Sequence, residues 1–374
     1  MKSSPPDACD MATSPPIPPA GPPPSPPGAR LRRRAGALLA VLAVAGAIFL
    51  IYLRWGRQFD WRTFASSFAT LDWRWLALSI AAALATYGGR ALRWAVMLRP
   101  QRSRPNLWGL FSATVIGFAS VVLIGRPAEL VRPYLIASRE GVSFSSQIGA
   151  WVLERIADLL AILLVFGFAL TQVSGARHGV GAWLRWVLTV GGWVAAVGVV
   201  VLLLVLILLG RSAEKVGERL KDSIGFLPRA YLPRVERLLE AFLQGLSVLR
   251  DRRSVLWFAG YTALEWVLVG LCILALFNAY PAMPRMGLGQ VIVFMGVVSF
   301  GSLFQIPGIG GGVQVAAVMV LSELYGVRIE LATSAALMIW IVTFVVVVPF
   351  GLLLALHEGL NWKRMRQLRL ESQP

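Results

Sequence analysis

Residues 125–140 read GRPAELVRPYLIASRE and follow FSATVIGFASVVLI (111–124), a run apolar enough to lie inside a membrane. Arg126, Glu129, Arg132, Arg139 and Glu140, with Pro127 and Pro133 among them, leave that hydrophobic segment abruptly. The reading of this stretch depends on what surrounds it. Of the 374 residues, 57% are hydrophobic, and several apolar runs approach the roughly 20 residues that cross a bilayer. An all-α, polytopic helical membrane protein is expected. The formal net charge of +17 sits between the apolar runs, where basic residues orient a membrane protein, so nucleic acid is excluded as a partner.

Six full spans are expected. The first is AGALLAVLAVAGAIFLIYL after the basic RLRRR (30–34), read as a retained span rather than a cleaved signal. The others cover 75–98, 151–173, 183–209, 255–277 and 333–356. Together they form a membrane domain over 30–360. Ahead of it, residues 1–29 hold half of the prolines and read as a disordered tail, a linker or a docking segment. Residues 361–374 form a basic cytoplasmic tail. Between 210 and 254, ten Lys/Arg against six acids mark a cytoplasmic loop, and Leu238, Leu239, Phe242, Leu246 and Leu249 predict an amphipathic helix on the membrane face.

Positive charge sets the parity of the chain. RLRRR, RPQRSR (99–104), the 210–254 loop and KRMRQLR (363–369) are assigned to the cytoplasm, which puts both termini there and the protein in the cell inner (plasma) membrane. With that parity, 107–150 must enter and leave by the cytoplasmic face, and 288–326 by the outer face. The arginines of 54–74, which this parity places outside, run against it. Each expected hairpin breaks at Gly and Pro: GRPAELVRP in the first, IPGIGGG in the second. Irregular backbone at membrane depth survives only where protein buries it or water lines it, and paired breaks from opposite faces point to a central transport site.

Arg126 and Arg132 offer bidentate geometry to phosphate, beside helix-start N–H groups at Pro127 and near Val313. Glu129, three residues before Arg132, is expected to orient it. In WVLERIADLL, Glu154 and Asp158 share a helix face and Arg155 is in range of Asp158. These charges lie in apolar sequence, where they are costly and usually face a protein interior. Plainer readings stand beside these: a surface helix at 126–140, a structural ion pair at 154–158, and glycines that only permit close packing. Arg90 and Arg93 end the second span and Glu265 sits in mid-span; all three are candidate site residues, though the arginines are rather expected to snorkel toward the interface and Glu265 to be structural. Cys9 and Cys272, and His178 and His357, are too scattered for a disulfide framework or a metal site, and no cofactor is expected.

GRPAELVRPYL, WVLERIADLLAILL and QIPGIGGGVQVAAVMVLSELYGV, in this order over about residues 35–360, resemble the lysylphosphatidylglycerol synthase transmembrane (flippase-like) family. Members resemble the N-terminal half of the bacterial multiple peptide resistance factor, which moves aminoacylated phosphatidylglycerol between leaflets. The resemblance marks Arg126, Glu129, Arg132, Glu154, Arg155, Asp158, Pro307 and Gly311, with Gly308, Gly310, Gly312 and Gln314 completing the late broken segment. Gln314 stands where members often carry Glu, a departure from a proton-coupled or lysyl-lipid role. No Walker A loop, Asp-x-Asp pair or G-x-S-x-G setting occurs. The tail after the last span is too short for a soluble aminoacyltransferase domain, so a stand-alone membrane domain is expected, served by a separately encoded lipid-modifying enzyme. The leading expectation is a translocase for a lipid with an anionic, phosphate-bearing headgroup, phospholipid or polyprenyl-linked. An intramembrane enzyme using Glu154 or Asp158 as base, and a non-catalytic membrane partner, are the alternatives.

Overall fold

A computed structural model describes residues 59–173, 182–223, 232–302 and 312–359. All regular structure among them is helical. The expected first span, the proline-rich tail and the basic tail after residue 360 lie outside the described residues.

The helix starts follow from short polar side chains that satisfy orphan backbone donors. Asp60 accepts from the N–H groups of Arg62 and Thr63 to open α1 (Trp61–Ala69), and Asp72 accepts from Arg74 N–H to open α2 (Trp73–Leu98). These two helices meet at 81°. Asn106 caps α3 (Leu107–Ile124) through Gly109 N–H. Gly125, at φ 92°, then ends α3 in a conformation closed to most side chains. A 3-10 turn (Arg126–Leu130) leads into α4 (Val131–Glu140), which stops at left-handed Gly141.

The chain continues through α5 (Phe144–Val173), α6 (Ala182–Ser223), α7 (Leu232–Gly245), a 3-10 turn (Ser247–Arg250) and α8 (Arg252–Asn278). Next come α9 (Leu288–Ser302), α10 (Gly312–Met319, prolonged by a π turn over Val320–Leu324), α11 (Ile329–Trp340), a second π turn (Ile341–Val345) and α12 (Val347–His357). Among the described residues, four segments are long and apolar enough to cross a membrane: α3, Thr189–Gly210 of α6, α8, and α11 with α12; the bent α1–α2 pair makes a fifth. On α6, Trp193, Val197, Val200 and Leu204 are exposed, an apolar surface suited to lipid.

Two sequence expectations need correction. Residues 210–223 are not loop, because α6 continues through them; their Lys/Arg-rich composition is compatible with helix and misled only the hydropathy boundary. The 151–173 span begins seven residues earlier, at Phe144, so the first hairpin, expected over 107–150, ends at Gly141. The predicted amphipathic helix is present in part as α7, which carries Leu238, Leu239 and Phe242 but ends before Leu246 and Leu249; it packs on α5, where Ser145 donates to the Leu238 carbonyl and Gly149 and Gly245 let the two backbones touch.

Long antiparallel contacts organise the interior. α2 runs along α8, with Asp72 N–H donating to Ala279 O at one end and Ser79 Oγ to Cys272 O farther along. α5 runs against α9, where Phe166 and Phe300 stack at 4.2 Å and Gly296 meets the α5 backbone. α3 runs against α12, where Gly351 meets Ala119. α4 folds back on α3, and Gly117 admits it: a Cβ there would stand 2.6 Å from that of Arg132.

The two ends of this bundle are marked by polar contacts. At one, Arg102 Nε pairs with Glu140 at 2.8 Å, Asn106 N–H donates to Glu140, Gln101 donates to Gln244 O, and Arg139 and Ser112 both bond Glu358. At the other, Asp60 N–H donates to Glu330 and Asp72 N–H to Ala279 O. The hairpin α3–α4 therefore opens and closes at the Arg102 end. α9 and α10 likewise meet near their far ends, where Tyr325 donates to Gln290 O.

This arrangement makes a topological prediction. With Cys9 and Cys272 replaced, an impermeant thiol reagent should label Ser103→Cys and Ser143→Cys from one face of the membrane and Arg285→Cys from the other. Labelling of positions 103 and 143 from opposite faces would break the hairpin.

Candidate functional site

Seven ionisable side chains from α2, α4, α5 and α8 meet in one cluster. Arg93 and Glu154 lie at its centre, each fully buried, with an Nη2–Oε1 distance of 2.6 Å. Arg93 Nη1 also reaches Asp158 at 2.6 Å, Glu265 at 3.3 Å and Thr262 Oγ1 at 3.4 Å. Glu154 collects three more arginines. Arg132 Nη1 lies 3.0 and 3.1 Å from its two oxygens, Arg155 Nη2 at 3.2 Å, and Arg90 Nη1 at 3.8 Å. Arg90 is held to Glu265 at 2.5 Å, and Arg155 to Asp158 at 3.2 Å.

Aromatic faces complete the enclosure. The Arg132 guanidinium lies 4.1 Å from the Trp94 ring and 5.7 Å from Phe118, and it donates to the Arg90 carbonyl. Arg90 lies 4.6 Å from Phe118. Such contacts favour a cation by about 2 kcal/mol when it is desolvated, and they fit arginine better than lysine. Helix geometry explains how the side chains converge. Arg90 and Arg93, three apart on α2, share a face, as do Glu154 and Asp158, four apart on α5.

The cluster is graded from sealed to open. Arg132 and Glu265 are buried, Arg90 and Asp158 are partly accessible, and the Arg155 side chain is 43% exposed. Four guanidinium groups face three carboxylates, and the Nε donors of Arg93 and Arg132 are buried without a hydrogen-bond partner. Buried donors are nearly always paired, so both call for an acceptor.

Arg90 also opens onto a cavity of about 230 Å³. Its wall includes Tyr87 of α2, Cys272 of α8, Phe118 of α3 and Val313 of α10, so both hairpins border it. Thr343 lies in the π turn between α11 and α12, and its carbonyl accepts from Tyr87 Oη at 3.0 Å while the residue lines the cavity. Such turns release a carbonyl from the helical ladder, and they recur at functional sites.

The sequence-predicted residues fall into three groups. Arg132, Glu154, Arg155 and Asp158 come together in the cluster. Arg90, Arg93 and Glu265 join them: Arg93 does not snorkel but is sealed, and Glu265 pairs with two arginines of α2. Glu129 is half-buried on the 3-10 turn, and Arg132 bonds Glu154 instead of it. Of Arg126 only the backbone, at the start of that turn, is among the described residues. Pro307, Gly308, Gly310 and Gly311 lie outside them. Gly312 opens α10, and Gln314 follows with a buried Oε1 that lacks a hydrogen-bond partner. Trp94, Phe118 and Thr262 were missed; Trp94, next to Arg93, was there to read, whereas Phe118 and Thr262 reach the arginines from other helices and left no local signal. Among the described residues no cluster of His, Cys, Asp and Glu has the makings of a metal site.

A helical bundle with lipid-facing apolar helices and a sealed arginine–carboxylate cluster is an integral membrane protein. Residues 38–351 match the family described as the lysylphosphatidylglycerol synthase TM region, and the chain belongs to that family. It is thereby a membrane protein of lipid metabolism or translocation. No curated protein and no solved structure matches the chain.

If Glu154 is the hub, Glu154→Gln leaves the buried Arg132 without a carboxylate partner and takes one from Arg93, Arg155 and Arg90. It should destabilise the purified protein in detergent by about 3–5 kcal/mol, whereas Glu129→Gln should cost less than about 1 kcal/mol. Equal losses in chemical unfolding of the two variants would remove Glu154 from the hub.

Proposed function

We propose that the chain is a lipid translocase that passes a phosphate-bearing, anionic headgroup through the interior while the apolar tails remain in lipid. The observation that carries this reading is the pair of unpartnered guanidinium donors in the buried cluster. The Nε groups of Arg93 and Arg132 lack acceptors, and Arg90 faces a cavity bordered by both hairpins. A buried donor without an acceptor costs about 1–3 kcal/mol, which a transient phosphate oxygen would offset.

The intramembrane-enzyme reading is less well supported, because the carboxylates it needs as a base are engaged. Glu154 is bonded by Arg93, Arg132 and Arg155, and Asp158 by Arg93 and Arg155. For orientation, the Arg102–Glu140 end, with Arg99, Arg104 and the Arg250–Arg253 run, is assigned to the cytoplasm of the cell inner membrane. In this arrangement α3–α4 is a re-entrant hairpin from the cytoplasmic side and α9–α10 its counterpart from the outer side. Both termini are then cytoplasmic, and a separately encoded lipid-modifying enzyme supplies the substrate.

The test is transbilayer movement of labelled phosphatidylglycerol in proteoliposomes, expressed per inserted molecule. Arg132→Lys keeps the charge but loses the planar stack on Trp94 and one donor pair. It should slow movement about tenfold, the factor for one charge-assisted hydrogen bond worth roughly 1.5 kcal/mol. Arg132→Ala and Glu154→Gln should be slower still. Normal movement per surviving molecule in all three would make the cluster a structural clamp and defeat the proposal.

A further inference from the structure

Toward the start of α8, beyond the stretch that lines the small cavity, lies a second and larger recess, between α5, α6 and α8. Its volume is about 880 Å³, within the range of roughly 300–1,000 Å³ of clefts that bury a whole small ligand. Leu160, Leu164, Leu203, Ile207, Ala259 and Ala263 are typical of its wall. At one end the wall changes character, because Arg250 and Arg252 line it.

Arg252 stands where helix stability does not want it. The start of α8 carries partial positive charge and has no acidic residue in its first turn, yet Arg252 and Arg253 occupy that turn. The adjacent Asp251 is committed to the helix start. It accepts from Arg253 N–H, Ser254 N–H and Ser254 Oγ, and the Ser254 bonds hold its carboxyl below the usual carboxylate range. Two guanidinium groups therefore line one end of an apolar recess, a pattern complementary to an anion on a hydrocarbon tail. Across the recess Phe258 and Thr262 belong to both its wall and the surroundings of Arg93, so this groove is separated from the cluster by one layer of side chains.

We infer that the groove between α5, α6 and α8 binds one anionic phospholipid, with an acyl chain along Leu164, Leu203 and Ala259 and the headgroup phosphate on Arg250 and Arg252. The site is distinct from the charge cluster, and its occupancy does not depend on transport. Ala259 and Ala263 are exposed into the groove one turn apart, so bulk added there fills the space without disturbing a packed core.

The experiment is native mass spectrometry of the full-length protein released from nanodiscs of equal parts phosphatidylglycerol and phosphatidylcholine. The unmodified protein should retain one phosphatidylglycerol in several-fold preference to phosphatidylcholine. The pair Arg250→Gln with Arg252→Gln should lose the preference, and Ala259→Trp with Ala263→Trp, which leaves the arginines in place, should lose the bound lipid. Retention undiminished by the tryptophans, with loss in the glutamine pair, would mean general surface attraction and would overturn the site. So would retention of both lipids without preference in the unmodified protein. A protein that moves no lipid but shows the expected retention pattern would refute the translocase reading and leave this inference intact.

Discussion

The ion pair between Arg93 and Glu154 is the constraint on which the rest depends. Both side chains are fully buried, and two sealed charges are tolerable only when nearly every lone pair and proton finds a partner. Arg93 therefore reaches two carboxylates of α5 and one of α8, while Glu154 draws in arginines from α2, α4 and α5. Four helices are tied at one point. The return of α4 along α3 follows from this demand, because Arg132 meets Glu154 only if the chain turns back at Gly125 and passes close over Gly117.

Much of the architecture was legible because bilayer burial writes long apolar runs into the chain. The break after α3 was legible because Gly125 and Pro127 have few other uses at that depth. Periodicity on α5 placed Glu154 and Asp158 on one face. Azimuth across helices was not legible. Arg90 and Arg93 lie within two turns of the end of α2, and depth alone assigned them to the interface; only the packing of α2 along α8 and α5 turns them inward. Glu265 was undervalued for the same reason, since its partners are about 170 residues away in sequence.

The pairing of Glu129 with Arg132 failed differently. It assumed α-helical geometry from 126 onward, but the segment is a 3-10 turn up to Leu130, and Arg132 points to a distant carboxylate of full counter-charge. Local spacing states which pairs are within reach; desolvation decides which one forms. The polar stretch after residue 210 shows the converse. Hydropathy marks where lipid contact ends, and a helix of good formers can continue past that point, as α6 does.

The cluster places two buried, unpartnered guanidinium donors and the partly accessible Arg90 beside a cavity bordered by α3 and α10. In this account the fold holds Arg90, Arg93 and Arg132 at depth by over-pairing Glu154, and the donors left over are what a headgroup uses. The most direct measurement is the 15N–31P dipolar coupling between guanidinium-labelled protein and phosphatidylglycerol bilayers, compared with Arg90→Gln. The account predicts a strongly coupled, motionally restricted phosphate signal in the unmodified protein that disappears in the variant. Identical spectra from the two would mean that no phosphate reaches Arg90, and would contradict the central claim.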